Sequence, residues 1–180
     1  MLFRSVMVRI VENYEAILLK GKRKDQFRQE AFDFYLRYWD EERAFEGFEF
    51  SQANKKVIDS INERLSEFGD RQIQKRYQKE ALWFYEGAWN SPDTRKLPDT
   101  DREDILQTLL NICNQLREKD RAEKYRNEAF RFYEKKWRRL RDKEEISDRD
   151  RIDILATLVN LASSVMKEKK KLKYESLLKV

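Results

Sequence analysis

The sequence contains no histidine and a single cysteine, Cys113. The first absence removes the commonest general base and the commonest metal ligand. The second excludes disulfide frameworks, paired-cysteine redox motifs and cysteine-based zinc sites. With no imidazole to activate it, Cys113 reads as a small core residue and not as a catalytic thiol. A lone cysteine also suits a reducing compartment. Glycine and proline are scarce, four and two among 180 residues, too few for the many turns of an all-β chain or for a glycine-rich phosphate loop. No stretch approaches the roughly 20 apolar residues of a membrane span, and Arg4 and Arg9 interrupt the segment where a signal peptide would need an uncharged apolar run. These absences predict a cytoplasmic, non-enzymatic chain with no catalytic residue, no metal site and no cofactor.

What is present points to helix. Charged residues make up 41% of the chain, hydrophobic residues 40% and aromatics 13%, a mixture too apolar and too aromatic for disorder. The length suits one domain over residues 1–180. Three segments align without a gap: Phe27-Arg-Gln-Glu-Ala-Phe-Asp-Phe-Tyr35, Tyr77-Gln-Lys-Glu-Ala-Leu-Trp-Phe-Tyr85 and Tyr125-Arg-Asn-Glu-Ala-Phe-Arg-Phe-Tyr133. Each is followed four residues later by Trp39, Trp89 or Trp137, and a weaker fourth copy begins at Tyr174. A second element precedes each copy, clearest in Asp101-Arg-Glu-Asp-Ile-Leu-Gln-Thr-Leu-Leu-Asn111 against Asp150-Arg-Ile-Asp-Ile-Leu-Ala-Thr-Leu-Val-Asn160. Tyr125, Ala129, Phe132, Tyr133 and Trp137 fall on one face of a 3.6-residue period, so each repeat is a helix pair, A then B. The repeats run approximately over 5–53, 54–100, 101–148 and 149–180. Short A-to-B turns are expected at Lys20-Gly21-Lys22, Phe68-Gly69-Asp70 and Glu118-Lys119-Asp120, and Thr100-Asp-Arg-Glu103 reads as a capping box.

The third repeat resembles a tetratricopeptide-type (TPR-like) helix pair, with Ala122 and Ala129 on the small positions of helix B and Leu106 and Leu109 on the large apolar positions of helix A. The period of 48–50 residues makes it a divergent relative of that pattern. The resemblance implies a right-handed α-solenoid of about four antiparallel helix pairs, whose A helices line a concave groove that holds a peptide or a partner helix.

Two patterns are left over after packing is assigned. Asn13, Asn111 and Asn160 occupy one equivalent position of helix A, and Arg9 and Gln107 lie one turn earlier. Asn is a poor core residue, and a carboxamide both donates to and accepts from peptide backbone. In the resembled family this position faces the groove, so Arg9, Asn13, Gln107, Asn111 and Asn160 are the expected partner-binding residues. The alternative is that the Asn side chains hydrogen-bond between repeats. The second pattern is charge polarity. The A-to-B turns over 20–28, 69–79, 117–126 and 167–173 carry nets of +4, +3, +2 and +4, against −4, −3 and 0 over 40–54, 86–104 and 138–153. A stacked repeat would place Lys20, Lys22, Arg23, Lys24, Lys75, Arg76, Arg121, Lys124, Lys169, Lys170 and Lys171 on one basic edge. That edge suits a nucleic acid, an acidic protein or plain solvent.

Trp83 is set apart from the repeated tryptophans. Its equivalents are Asp33 and Arg131, which predicts a solvent-facing position and makes it a candidate interface anchor. The favoured function is a protein–protein interaction scaffold, with a nucleic-acid-binding accessory protein as the alternative. A third reading is a self-assembling homo-oligomer subunit, since the last copy lacks the Phe-Tyr-x-x-x-Trp segment and would leave an apolar end for another chain to cap.

Overall fold

A computed structural model describes residues 24–44, 51–141, 147–165 and 167–178. Seven α-helices are present among them: α1 (Lys24–Arg43), α2 (Gln52–Phe68), α3 (Arg71–Asn90), α4 (Asp99–Leu116), α5 (Lys119–Leu140), α6 (Asp148–Ser164) and α7 (Glu168–Leu178). A short 3₁₀ turn at Pro92–Lys96 precedes α4, and no strand occurs among the described residues. The protein is all-α. None of these helices is long and apolar enough to cross a membrane. The chain divides into two compact units, Met1–Ser91 and Pro92–Val180.

In the first unit the junction of α2 and α3 shows how the sequence sets its own turns. Ser51 opens α2 by accepting the Asn54 N–H at 3.1 Å. Gly69 closes α2, its N–H reaching the Leu65 carbonyl at 3.0 Å. Asp70 then caps α3, one carboxylate oxygen accepting the N–H groups of Gln72 and Ile73 at 2.8 Å each. Gln74 ties the turn down by donating to the Leu65 and Gly69 carbonyls at 3.0 and 2.8 Å. With only Gly69 and Asp70 between them, α2 and α3 fold back on each other, as the Phe68-Gly69-Asp70 turn predicted. The core is built from residues at helical spacing: Phe32, Tyr35 and Trp39 on α1, Val57, Ile58, Ile61 and Leu65 on α2, and Tyr77, Ala81, Phe84, Tyr85 and Ala88 on α3. Trp39 is fully buried and meets Phe84 edge-on at 5.4 Å.

The second unit repeats this plan with different ends. The capping box expected at Thr100–Glu103 does not form: α4 begins at Asp99, and Pro98, which cannot supply a capping side chain, stands at its N-cap. The reason is that Pro98 has φ −53° and its carbonyl accepts the Arg102 N–H at 3.2 Å, so the helix is entered before Thr100. Glu103 is instead drawn to Lys136 of α5, and Asp99 to Arg139. The α4–α5 turn likewise starts earlier than expected, at Arg117, which takes the left-handed conformation (φ 60°, ψ 30°). The Glu118 N–H then reaches the Cys113 carbonyl at 2.9 Å. Ser147 caps α6 through the Asp150 N–H at 3.1 Å. Ile105, Leu106, Leu109, Ile112 and Cys113 of α4 are buried with Ala122, Tyr125 and Ala129 of α5. The Cys113 side chain is fully buried. A second cluster joins Phe130, Ile154, Leu155, Leu158, Ala162 and Tyr174, with Tyr133, Trp137 and Leu178 against it.

Candidate functional site

The helix-A polar positions follow from the packing beneath them. Ile105, Leu109 and Ile112 turn one face of α4 inward, which leaves Gln107 and Asn111 exposed on the opposite face. Gln107 Nε2 donates to Asn111 Oδ1 at 3.1 Å, so the two carboxamides are held as a pair. On α6, Ile154, Leu155, Leu158 and Ala162 point inward and Asn160 is exposed. Asn111 and Asn160 are both exposed. No hydrogen bond links the α4 pair to Asn160, which stands on a separate helix. Arg9 and Asn13 lie outside the described residues. In the second repeat the position of Gln107 is held by Asp59, 48 residues earlier, which accepts from Lys55 at 2.9 Å and from the Tyr85 hydroxyl.

Trp83 is 43% exposed, and its equivalents Asp33 and Arg131 are exposed as well. The Arg43 guanidinium stacks over its ring at 3.7 Å while Arg43 Nε holds Glu80 at 2.9 Å. One face of the indole is therefore already occupied by a cation fixed from both sides.

Of the expected basic edge, Lys20, Lys22 and Arg23 lie outside the described residues, as does the side chain of Lys24. Lys75, Arg121 and Lys169 are exposed. Four others face carboxylates: Arg76 with Asp40 at 2.7 Å, Lys124 with Glu128 at 3.9 Å, Lys170 with Glu134 at 2.6 Å and Lys171 with Glu175 at 3.9 Å. The positive sums along the sequence thus overstate the field outside the protein.

A recurring network was not expected from the sequence. Tyr77, the first residue of the second repeated segment, donates its hydroxyl to Asp40 at 3.0 Å, and Arg76 shares that carboxylate. Tyr174, the equivalent tyrosine of the last copy, donates to Glu134 at 2.8 Å, and Lys170 shares that one. Burial raises the Tyr174 pKa to about 12, helped by the hydrogen bond to Glu134 and by its charge. Tyr77 is raised further by burial and by Asp40. Burial of Glu134 works to raise its pKa, but the hydrogen bonds from Lys170 and Tyr174 and the charges of Lys170 and Arg138 outweigh it, so it lies below its ordinary value. Beside this network Lys167 sits over the Phe130 ring at 4.2 Å and donates to Asn127 Oδ1 at 3.3 Å. Desolvation, then the charges of Lys170 and Arg131, hold its pKa down. These side chains are structural: each tyrosine and its cation share one carboxylate on a separate helix.

Among the described residues no group of three or more acidic or cysteine side chains is placed to hold a metal ion. No protein-family model, curated protein or solved structure matches the chain.

Proposed function

We propose that this chain is a non-enzymatic interaction scaffold of TPR-like helix pairs, which takes a peptide or partner helix on the helix-A face that presents Gln107, Asn111 and Asn160. The observation that carries this reading is the exposure of Asn111 and Asn160 at one equivalent helix-A position, with Gln107, one turn before Asn111, already held to it by a hydrogen bond. A carboxamide fixed before binding loses less rotamer freedom when it pairs with a peptide backbone. The buried single cysteine and the lack of histidine fit a cytoplasmic chain that works by contact and not by chemistry. A nucleic-acid partner is less favoured, because Arg76, Lys124, Lys170 and Lys171 already face carboxylates and would release less counterion than their number suggests.

Affinity capture with the wild-type chain, followed by mass spectrometry and direct titration of the captured protein, tests the reading. Asn111→Ala with Asn160→Ala is expected to weaken that binding at least about tenfold, the cost of losing roughly 1.4 kcal/mol of hydrogen bonding. Reversal of Lys169, Lys170 and Lys171 to Glu is expected to leave it unchanged. The opposite pattern, with steep salt dependence and retention of nucleic acid, would replace the scaffold with the nucleic-acid reading.

A further inference from the structure

Two of the exposed large apolar side chains among the described residues lie on one short helix, α7: Leu172 at 62% and Leu177 at 40%. The inward side of α7 is fully committed. Tyr174 is buried against Phe130 and bonded to Glu134, Lys170 shares Glu134, and Leu178 packs on the core. The outward side consists of Lys169, Leu172, Lys173, Ser176 and Leu177, all exposed. At roughly 100° per residue these five occupy a single arc of about 140°, in the angular order Leu172, Ser176, Lys169, Lys173, Leu177. The lysines thus stand at the centre of the arc and the leucines at its borders. Neither Lys169 nor Lys173 has a carboxylate partner among the described residues. The two acids of α7 fall outside the arc: Glu168, exposed, stands about 40° beyond Leu172, and Glu175, half-buried, faces Lys171 at 3.9 Å.

That order discriminates between occupants. A face that enters a bilayer carries its apolar residues at the centre and its cations on the flanks, where they can reach the headgroups, and here the order is reversed. A phosphate backbone would meet the lysines but leave both leucines in water. A second copy docked symmetrically on α7 would bring Lys169 and Lys173 against like charges. A surface with a central acidic stripe bordered by aliphatic side chains would pair both lysines and cover both leucines. We propose that the outward face of α7 is a docking surface for an acidic amphipathic helix of a partner protein, with its Glu or Asp residues on Lys169 and Lys173 and its aliphatic residues on Leu172 and Leu177. This surface is on a different helix from Gln107, Asn111 and Asn160 and does not depend on the helix-A reading.

The test is fluorescence anisotropy of the full chain with a labelled helical peptide of about 20 residues, long enough to be helical in isolation, that presents one Glu/Leu face. A second peptide carries Lys in place of each Glu. Saturable binding of the Glu/Leu peptide is expected, weakened at least about tenfold by Lys169→Glu with Lys173→Glu and by Leu172→Ser with Leu177→Ser. The charge-reversed chain is expected to take the Lys/Leu peptide instead. Asn111→Ala with Asn160→Ala is expected to have no effect, which separates this result from the fate of the helix-A reading. All four positions on α7 are exposed, and circular dichroism confirms that each variant folds. The proposal is overturned if the Glu/Leu peptide fails to bind or if the variants bind it as well as wild type. It is equally overturned if the α7 variants instead abolish binding to phosphatidylserine vesicles or to polyuridine, or if they abolish concentration-dependent self-association in sedimentation.

Discussion

Replacing Tyr174 by Phe isolates the hydroxyl that joins α7 to α5. The ring is 3% exposed and meets Phe130 at 6.5 Å, and Phe retains that contact, so the variant opens no cavity beyond the lost oxygen. What disappears is a 2.8 Å hydrogen bond to an ionised carboxylate. Bonds to charged groups are worth about 1.5–3 kcal/mol. Because Lys170 still satisfies the same Glu134 oxygen at 2.6 Å, the low end applies, about 1.5 kcal/mol. With an m-value of about 1 kcal/mol per molar urea, the unfolding midpoint should fall by about 1.5 M. Fluorine NMR of 5-fluorotryptophan at Trp137, which packs on the same cluster, reads this unit separately from the tryptophans of the other. The pH dependence gives an independent check. Glu134 is depressed in the folded state, so its contribution is complete above the ordinary carboxylate value of about 4.3 and fades as pH falls through the folded value. Tyr174 is raised to about 12, so its contribution is complete below the unfolded value of about 10 and is lost as pH climbs towards 12. The gap between wild type and Tyr174→Phe should therefore be widest between pH 6 and 9 and narrow at both extremes. A gap below about 0.3 kcal/mol at pH 7, or one unchanged between pH 7 and pH 3, would refute the charge-assisted bond.

Two glycines should respond to alanine with opposite sign in thermal unfolding. A Cβ on Gly87, inside α3, would meet nothing within 4 Å, so Gly87→Ala should stabilise by about 0.5–1 kcal/mol. A Cβ on Gly69 would stand 2.9 Å from the Leu65 carbonyl oxygen and 3.3 Å from Ile73 Cγ2, so Gly69→Ala should destabilise; equal signs would show that the turn geometry is wrong. The Cys113 thiol, fully buried, should resist Ellman's reagent in native buffer and react fully in guanidinium, whereas rapid native labelling would contradict its placement.

The repeat and its 3.6-residue stripe made most of the helical core readable in advance. Trp39, Tyr77, Phe84, Tyr125 and Phe132 are all buried, and Cys113 takes the small-residue site assigned to it. The same phase exposed Gln107, Asn111, Asn160 and Trp83. The turn at Gly69 and Asp70 was legible because glycine and a capping carboxylate act through their immediate neighbours. The entry to α4 was misread for a related reason: Pro98 stops the preceding chain and starts the helix by itself, so the Thr100 capping signal is never used. The tyrosine–carboxylate network escaped the alignment because its acceptors do not follow the repeat. By the repeat offsets Asp40 corresponds to Arg138, yet Tyr174 donates to Glu134, one helical turn earlier.

Which side of each helix is buried is a property of spacing along that helix, and the amino-acid sequence determined it alone, since apolar residues three and four apart must share a face. Which charges remain available outside the protein is decided by residues 36 to 40 positions away, as in Arg76 with Asp40 and Tyr174 with Glu134. Charge interactions act through space over a few ångströms and take no account of sequence distance. Only the packed helices could therefore divide the basic residues into those already paired, such as Lys170, and those turned outward beside exposed leucines, Lys169 and Lys173.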